Sequence, residues 1–145
     1  MRLTTFADYS LRTLMYVGTK GDELSTIDEI ADAYRISRNH LMKVVHRLGR
    51  LGYVETVRGR DGGMRLKRAP GEINLGTLVR EVEESLAIVE CMEGGAGRCC
   101  IEPACTLKGI LAESLGAFLG VLDRYTLADL LKPRQRLRTL LTMPA

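Results

Sequence analysis

Between Leu24 and Arg68 the hydrophobic period of the chain changes at Gly52, and few folds accommodate that change in so short a run. Upstream, ELSTIDEIADAY places Ile27, Ile30, Ala31 and Tyr34 at helical spacing, with Thr26 and Glu29 at the spacing of a capping box. After the break RIS comes SRNHLMKVVHRLGRLG, a second helix with Leu41, Val44, Val45 and Leu48 facing inward. Ser37 is expected to cap it and Gly52 to stop it. Downstream, YVETVRGRDGGMRLKR reads as two strands around a glycine-rich hairpin. Two short helices joined by a tight turn and followed by a hairpin predict a winged helix-turn-helix.

Charge points the same way. Net charge is only +3 over the 145 residues, but residues 35–68 hold 10 Lys and Arg against 2 acids, while residues 72–145 sum to −2. A basic helix face alone most often means a solvated surface; combined with a basic wing it indicates a nucleic-acid surface. Arg38 and Asn39, in the first turn of the second helix, are expected to reach base edges in the major groove, with His40 beside them. Lys43, Arg47 and Arg50 are expected to grip phosphates, and Arg58 and Arg60 at the wing tip to lie against the backbone or in the minor groove.

The remaining chain supplies framework. A first helix is expected from Thr5 to just before Gly21, with Phe6, Leu11, Leu14 and Met15 as its apolar stripe. INLGTLVREVEESL reads as a short helix that is acidic outside, and LKGILAESLGAFLGVLDRY as a long helix apolar on more than one face. A helix of that kind is either wholly buried or buries one face at home and another on a partner; in a chain this small the second is expected, and it suits a two-fold dimer on palindromic half-sites. The basic tail KPRQRLRTLLTMPA is expected to be partly loose. The expected fold is mainly α with a small β wing. It divides into a winged helix-turn-helix domain (1–70), a connecting helix and cysteine loop (71–106), a dimerisation helix (107–126) and a C-terminal segment (127–145). No secretory signal and no membrane span are expected, so the protein is expected in the cytoplasm. No base-plus-nucleophile pair, phosphate loop or catalytic carboxylate pair is present, and no enzyme is expected.

All four cysteines fall in CMEGGAGRCCIEPACTLK with the spacing C-x7-C-C-x4-C. Disulfides are disfavoured in a reducing compartment, and the adjacent Cys99 and Cys100 pair only under strain. Zinc sites draw on two close ligand pairs; a second pair is missing, and His40 and His46 both sit on the DNA-facing helix. Soft thiolates among the exposed N–H groups of Gly94, Gly95 and Gly97 suit an iron–sulfur cluster. Thr5 and Asp8 have the spacing of a helix cap and its carboxylate partner, and Asp8 stands four residues before Arg12.

The segments MRLTTFADYSLRTLMYV, ISRNHLMKVVHRLGRLGYVETVRGRDGG, INLGTLVRE, C-x-IEPAC-x-LK (from Cys99) and YTLADL together resemble the NsrR/IscR family of iron–sulfur winged-helix regulators almost end to end. The resemblance implies cluster ligands at Cys91, Cys99 and Cys105, and leaves Cys100 as an extra thiol. Members that hold a two-iron cluster carry a histidine three residues after the last cysteine, where this chain has Lys108. A [4Fe-4S] cluster with three cysteines and one other ligand is therefore implied, the fourth being Asp8, Cys100 or a small molecule. In the nitric-oxide-sensing branch the aspartate equivalent to Asp8 reaches the cluster of the other subunit; capping and ligation both remain open for it here. The function implied is a homodimeric repressor on double-stranded DNA, released when nitric oxide attacks its cluster. The alternatives are a regulator of iron–sulfur supply and a zinc or thiol-redox regulator.

Overall fold

The computed structural model describes residues 2–93 and 99–142. Among them the elements run α1 (Thr5–Lys20), α2 (Ile27–Tyr34), α3 (Arg38–Arg50), β1 (Val54–Val57), β2 (Gly63–Leu66), α4 (Leu75–Val82), α5 (Thr106–Leu122), α6 (Leu127–Leu130) and α7 (Arg134–Thr142), with short 3-10 turns between. The fold is mainly helical with a two-stranded antiparallel wing, as its sequence implies.

Helix α1 runs through the middle of the molecule. It packs against α3, α4, α6, α7 and β2, and its buried residues include Ala7, Ser10, Thr13, Leu14, Val17 and Gly18. Only Leu14 of the expected stripe is fully buried; Phe6, Leu11 and Met15 are half-buried at the edge of the core. Small residues let neighbouring elements come close on several sides, and the buried hydroxyls of Ser10 and Thr19 donate back to Phe6 O (2.8 Å) and Met15 O (2.7 Å). The cap differs by one residue from expectation. Thr4 has extended backbone and its hydroxyl accepts from Ala7 N at 3.2 Å, so Thr5 lies inside the first turn.

The helix-turn-helix forms as its pattern dictates. Thr26 and Glu29 make a reciprocal capping box, and Ile30, Ala31, Leu41, Val44, Val45 and Leu48 are buried. The turn passes through Arg35 in the left-handed region (φ 53), which lets Ile36 N return to Ala31 O at 3.0 Å. Ser37 occupies the N-cap position of α3, but its hydroxyl makes no cap hydrogen bond. Its carbonyl accepts the first backbone bond of the helix, from Leu41 N at 3.1 Å. In the wing, Val54 faces Leu66 and Val57 faces Gly63, and Ser25 bridges to Met64 from the other side. A Cβ at Gly62 would strike the Val57 carbonyl oxygen, so only glycine permits this hairpin.

Helix α4 is shorter than its acidic segment suggests: Val82 ends it, and Glu83 is the C-cap. Its buried face carries Leu75, Leu78, Val79 and Val82, and Asn74 caps its start by accepting from Thr77 N at 3.0 Å. Helix α5 is held at its C-terminal end. Arg80 grips Asp123 with two bonds of 2.6 and 2.8 Å, Asn74 Nδ2 donates to Asp123 O at 2.7 Å, and Leu75 N donates to Tyr125 O at 3.0 Å. Asp123 crosses directly over Gly76, where a Cβ would collide with its carboxylate. Along the helix only Leu119 is buried, while Leu107 and Ile110 are each 57% exposed. The tail expected to be loose forms α7, which returns to α1: Arg134 Nε donates to Thr19 O at 3.0 Å, Arg138 pairs with Glu23 at 3.0 Å, and Leu141 joins the Tyr16–Ile30 cluster. Residues 143–145 lie outside the described residues. Among the described residues no helix is long and apolar enough to cross a membrane.

Gly76→Ala should lower stability by about 1–3 kcal/mol through this collision, read from urea denaturation midpoints. Gly71→Ala, with nothing within 4 Å of the new methyl group, should be close to neutral. Acid should loosen α6 in a defined window. The Lys132 hydrogen bond, with help from the Thr126 N–H and hydroxyl, holds Asp129 down at about 2 from an ordinary 3.8. A carboxylate depressed in the folded state stabilises above its unfolded value and ceases to as pH falls through the folded one. Asp129→Asn should therefore flatten the loss of stability between pH 5 and about pH 2 in a urea-midpoint series.

Candidate nucleic-acid interface and cysteine loop

The inward apolar set of α3 turns its opposite face to solvent. Arg38, Asn39, His40, Lys43, Arg47 and Arg50 are all exposed there, and Arg58 and Arg60 are exposed between β1 and β2. These expected DNA contacts therefore share two adjoining surfaces, the outside of α3 and the tip of the wing. No ion pair engages Lys43, Arg50, Arg58 or Arg60 among the described residues, so their charge is uncompensated.

Three of the expected residues have intramolecular partners. Arg38 Nη2 pairs with Asp28 Oδ1 at 2.7 Å, across the turn from α2. His40 lies beside the Tyr9 ring of α1, centroid to centroid 6.0 Å. Arg47 Nη2 donates to Glu81 O at 2.9 Å, near the end of α4. Sequence reasoning missed Met42, which is 57% exposed on α3. Its position four residues after Arg38 puts it on the same helical face, a signal that was available in the spacing.

Glu81 is a junction. Besides receiving Arg47 through its carbonyl, it accepts a short hydrogen bond from the Tyr53 hydroxyl through its carboxylate. Burial and this carboxylate push the Tyr53 hydroxyl well above its usual pKa, and the Arg68 guanidinium covers the ring at 4.6 Å. Two residues on, Glu83 Oε1 accepts from Thr4 N at 2.7 Å, the residue that caps α1. The segment leaving α4 is thus fastened to α3, to the start of the wing and to α1 before it reaches the cysteines.

Cys91 lies in the 3-10 turn Glu90–Met92, Cys99 and Cys100 are exposed, and Cys105 takes the N-cap position of α5. All four are free thiols, and Cys91 and Cys105 are half-buried. The expected glycine N–H donors at 94, 95 and 97 lie outside the described residues. Lys108 Nζ pairs with Glu102 Oε1 at 2.6 Å, and that bond raises the lysine's pKa, with the charges of Cys91 and Cys105 adding to it. Among the described residues of one chain, no three His, Cys, Asp or Glu side chains converge as a preformed metal site. Asp8 is in the first turn of α1, where it pairs with Arg12 at 3.0 Å and borders a shallow depression with Arg2, Leu3 and Thr5.

Comparison with known proteins places this geometry in context. The Rrf2 family, described as an iron-dependent transcriptional regulator, matches residues 3–133. The HTH-type transcriptional regulator NsrR of Bacillus subtilis (strain 168) is 51% identical over 144 residues, covering 99% of each chain. Its counterpart in Bacillus licheniformis is 50% identical over 143 residues, covering 98% of this chain and 100% of that one. Among solved structures, T. potens IscR superposes with a TM-score of 0.73 at 25% identity, covering 92% of this chain and 88% of that one. CymR, the global cysteine regulator of B. subtilis, gives 0.69 at 26% identity, covering 90% and 95%. With a family match across nearly its whole length and relatives at half identity, the chain belongs to the Rrf2 family and is a DNA-binding transcriptional regulator.

Proposed function

We propose that this regulator is a cytoplasmic homodimeric repressor whose hold on DNA is set by an iron–sulfur cluster at Cys91, Cys99 and Cys105, with nitric oxide as the signal. The observation that carries the reading is the join between the two halves of the molecule: Glu81 and Glu83, which lead into the cysteine segment, are bonded to Arg47, Tyr53 and Thr4. The similarity to NsrR regulators at about half identity supports the choice of signal.

The donor set fits a cluster chemically. Four soft thiols lie between Glu90 and Thr106, and the three assigned to the cluster include both half-buried ones, Cys91 and Cys105. A cluster there would supply thiolate-held iron open to attack by nitric oxide. Lys108 offers a charge that offsets thiolate charge and is no soft ligand, so three cysteines and a fourth, non-histidine ligand favour a [4Fe-4S] type. Asp8 from the other subunit is the favoured fourth ligand, and its present partner Arg12, an exposed pair, could be given up at little cost. Cys100 remains an extra thiol.

DNA contact follows from the exposed groups. Arg38 and Asn39 read bases from the first turn of α3. His40 flanks them against Tyr9, while Lys43 and Arg50 hold phosphates and Arg58 and Arg60 lie against the backbone or in the minor groove. Arg47 does two things, since its fork has donors left after Glu81 O is served. Residues 107–126 act as the dimerisation helix: Leu107, Ile110 and Val121 are exposed apolar groups that a second copy would cover, setting two half-sites on a palindrome. When Cys91 and Cys105 are no longer tied together, the segment from Glu83 onward is freed and Thr4 loses its partner; the end of α4 then frays, and through Glu81 the hold on Arg47 and Tyr53 slackens.

Anaerobically isolated protein should be brown, with about four irons and four sulfides per chain. Alanine at Cys91, Cys99 or Cys105 should remove the colour and Cys100→Ala should keep it; colourless protein with one zinc per chain would end the proposal. On DNA, Lys43→Ala should flatten the log–log salt slope by about 0.9 and leave release by nitric oxide intact. Arg47→Lys keeps the charge but loses the fork, so it should preserve the slope and blunt release. Equal release by wild type and Arg47→Lys in a mobility-shift titration with a nitric oxide donor would remove Arg47 from the route.

A further inference from the structure

The Arg38–Asp28 pair has no evident structural purpose. Its side chains are 69% and 55% exposed, and such pairs add little to stability. Nor does it cap α2, because Thr26 and Glu29 already form the capping box there. What it does is join the first turns of the two helices of the helix-turn-helix through a single guanidinium. Arg38 otherwise has a long flexible stem on an exposed face, with many rotamers to lose on meeting a base.

We infer that Asp28 is a specificity-positioning residue, which holds Arg38 extended so that its remaining donors meet a guanine edge in the major groove. The inference rests on the proposed reading of Arg38 as a base-contacting residue and adds to it the group that aims it. The donor count allows this. A guanidinium has five N–H donors in one plane; Asp28 Oδ1 takes one on Nη2, and a parallel pair remains for guanine O6 and N7. A fork fixed in advance loses less freedom on binding, so the right base gains most. Asp28 also places negative charge beside the DNA surface, which weakens contact with any phosphate backbone whatever its sequence. Both effects widen the gap between specific and non-specific binding. Asp32 offers a control, being an exposed acid on the same helix with no contact to Arg38.

The test is selection from a randomised 30-base-pair duplex library by the full-length, anaerobically isolated protein at fixed salt, with calf-thymus DNA as the non-specific competitor. Arg38→Ala should erase the preference at one guanine position in each half-site. Asp28→Ala should reduce preference at that same position by about 5- to 20-fold, within the range a bidentate contact confers. It should also bind calf-thymus DNA more tightly than wild type. Asp32→Ala should share the tighter non-specific binding and keep the guanine preference. In the Arg38→Ala background, Asp28→Ala should remove nothing further. A guanine preference unchanged or sharpened in Asp28→Ala, with Arg38→Ala defective, would overturn the positioning role and leave the DNA-reading face intact. A guanine preference that survives Arg38→Ala would overturn both.

Discussion

Everything in this molecule leans on helix α1. Ala7, Leu14 and Val17 are fully buried in it, and α3, α4, α6, α7 and the wing strand β2 all pack on its surface. Two apolar clusters meet along its length: one with Leu48, Tyr53, Ile73, Leu78 and Leu127, the other with Ile30, Leu41, Val45 and Met64. Because both clusters share one helix, α3 and α4, the helix leading to the cysteines, cannot shift independently. A displacement of α1 by a fraction of an ångström has to be absorbed in a close-packed interior, where side chains change arrangement in steps.

Polar contacts add direction to that apolar frame. Thr4 N donates to Glu83, and the same acidic stretch accepts from Arg47 and Tyr53 through Glu81, so α1, α3 and the wing are joined at one place. These bonds span residues of very different sequence position and sit at the partly exposed rim, where an individual hydrogen bond is modest and reversible. Such a rim suits a switch better than a buried network would, since its bonds can open without unfolding the core. At the other end, Arg80 and Asn74 clamp Asp123 and fix the direction in which α5 leaves the domain. The uncovered apolar groups of α5 therefore stand at a set angle to α3, and that angle would govern half-site separation in a dimer.

Much of this was legible in the residues themselves. The capping box of α2, the inward face of α3, the glycine-rich wing and the apolar excess of α5 are local patterns, written by periodicity and turn chemistry that hold wherever the chain is placed. The basic character of residues 35–68 is likewise a property of composition, and so is the clustering of four thiols. Where local reading slipped, a neighbour at long range had intervened. The apolar stripe of α1 packs on the core but is only part of its buried surface, because contact on several sides also selects small residues such as Ser10, Thr13 and Gly18, which hydropathy does not mark as core. The basic tail reads in sequence as partly loose. Arg134 and Arg138 in fact anchor it to Thr19 and Glu23, more than a hundred residues away.

The sequence by itself determined the elements, the charged face and the chemistry of the thiol loop, because each depends on residues within a few turns of one another. Only the tertiary structure decided which arginines are free and which are held. Arg38 and Arg47 look alike as basic residues on one helix, yet one is drawn toward Asp28 and the other to the Glu81 carbonyl. It also decided that Gly76 makes room for Asp123. No pattern in a single chain records such pairings. They arise when packing of the apolar clusters brings distant segments to the same few ångströms, and short-range polar forces then select partners from whatever is there.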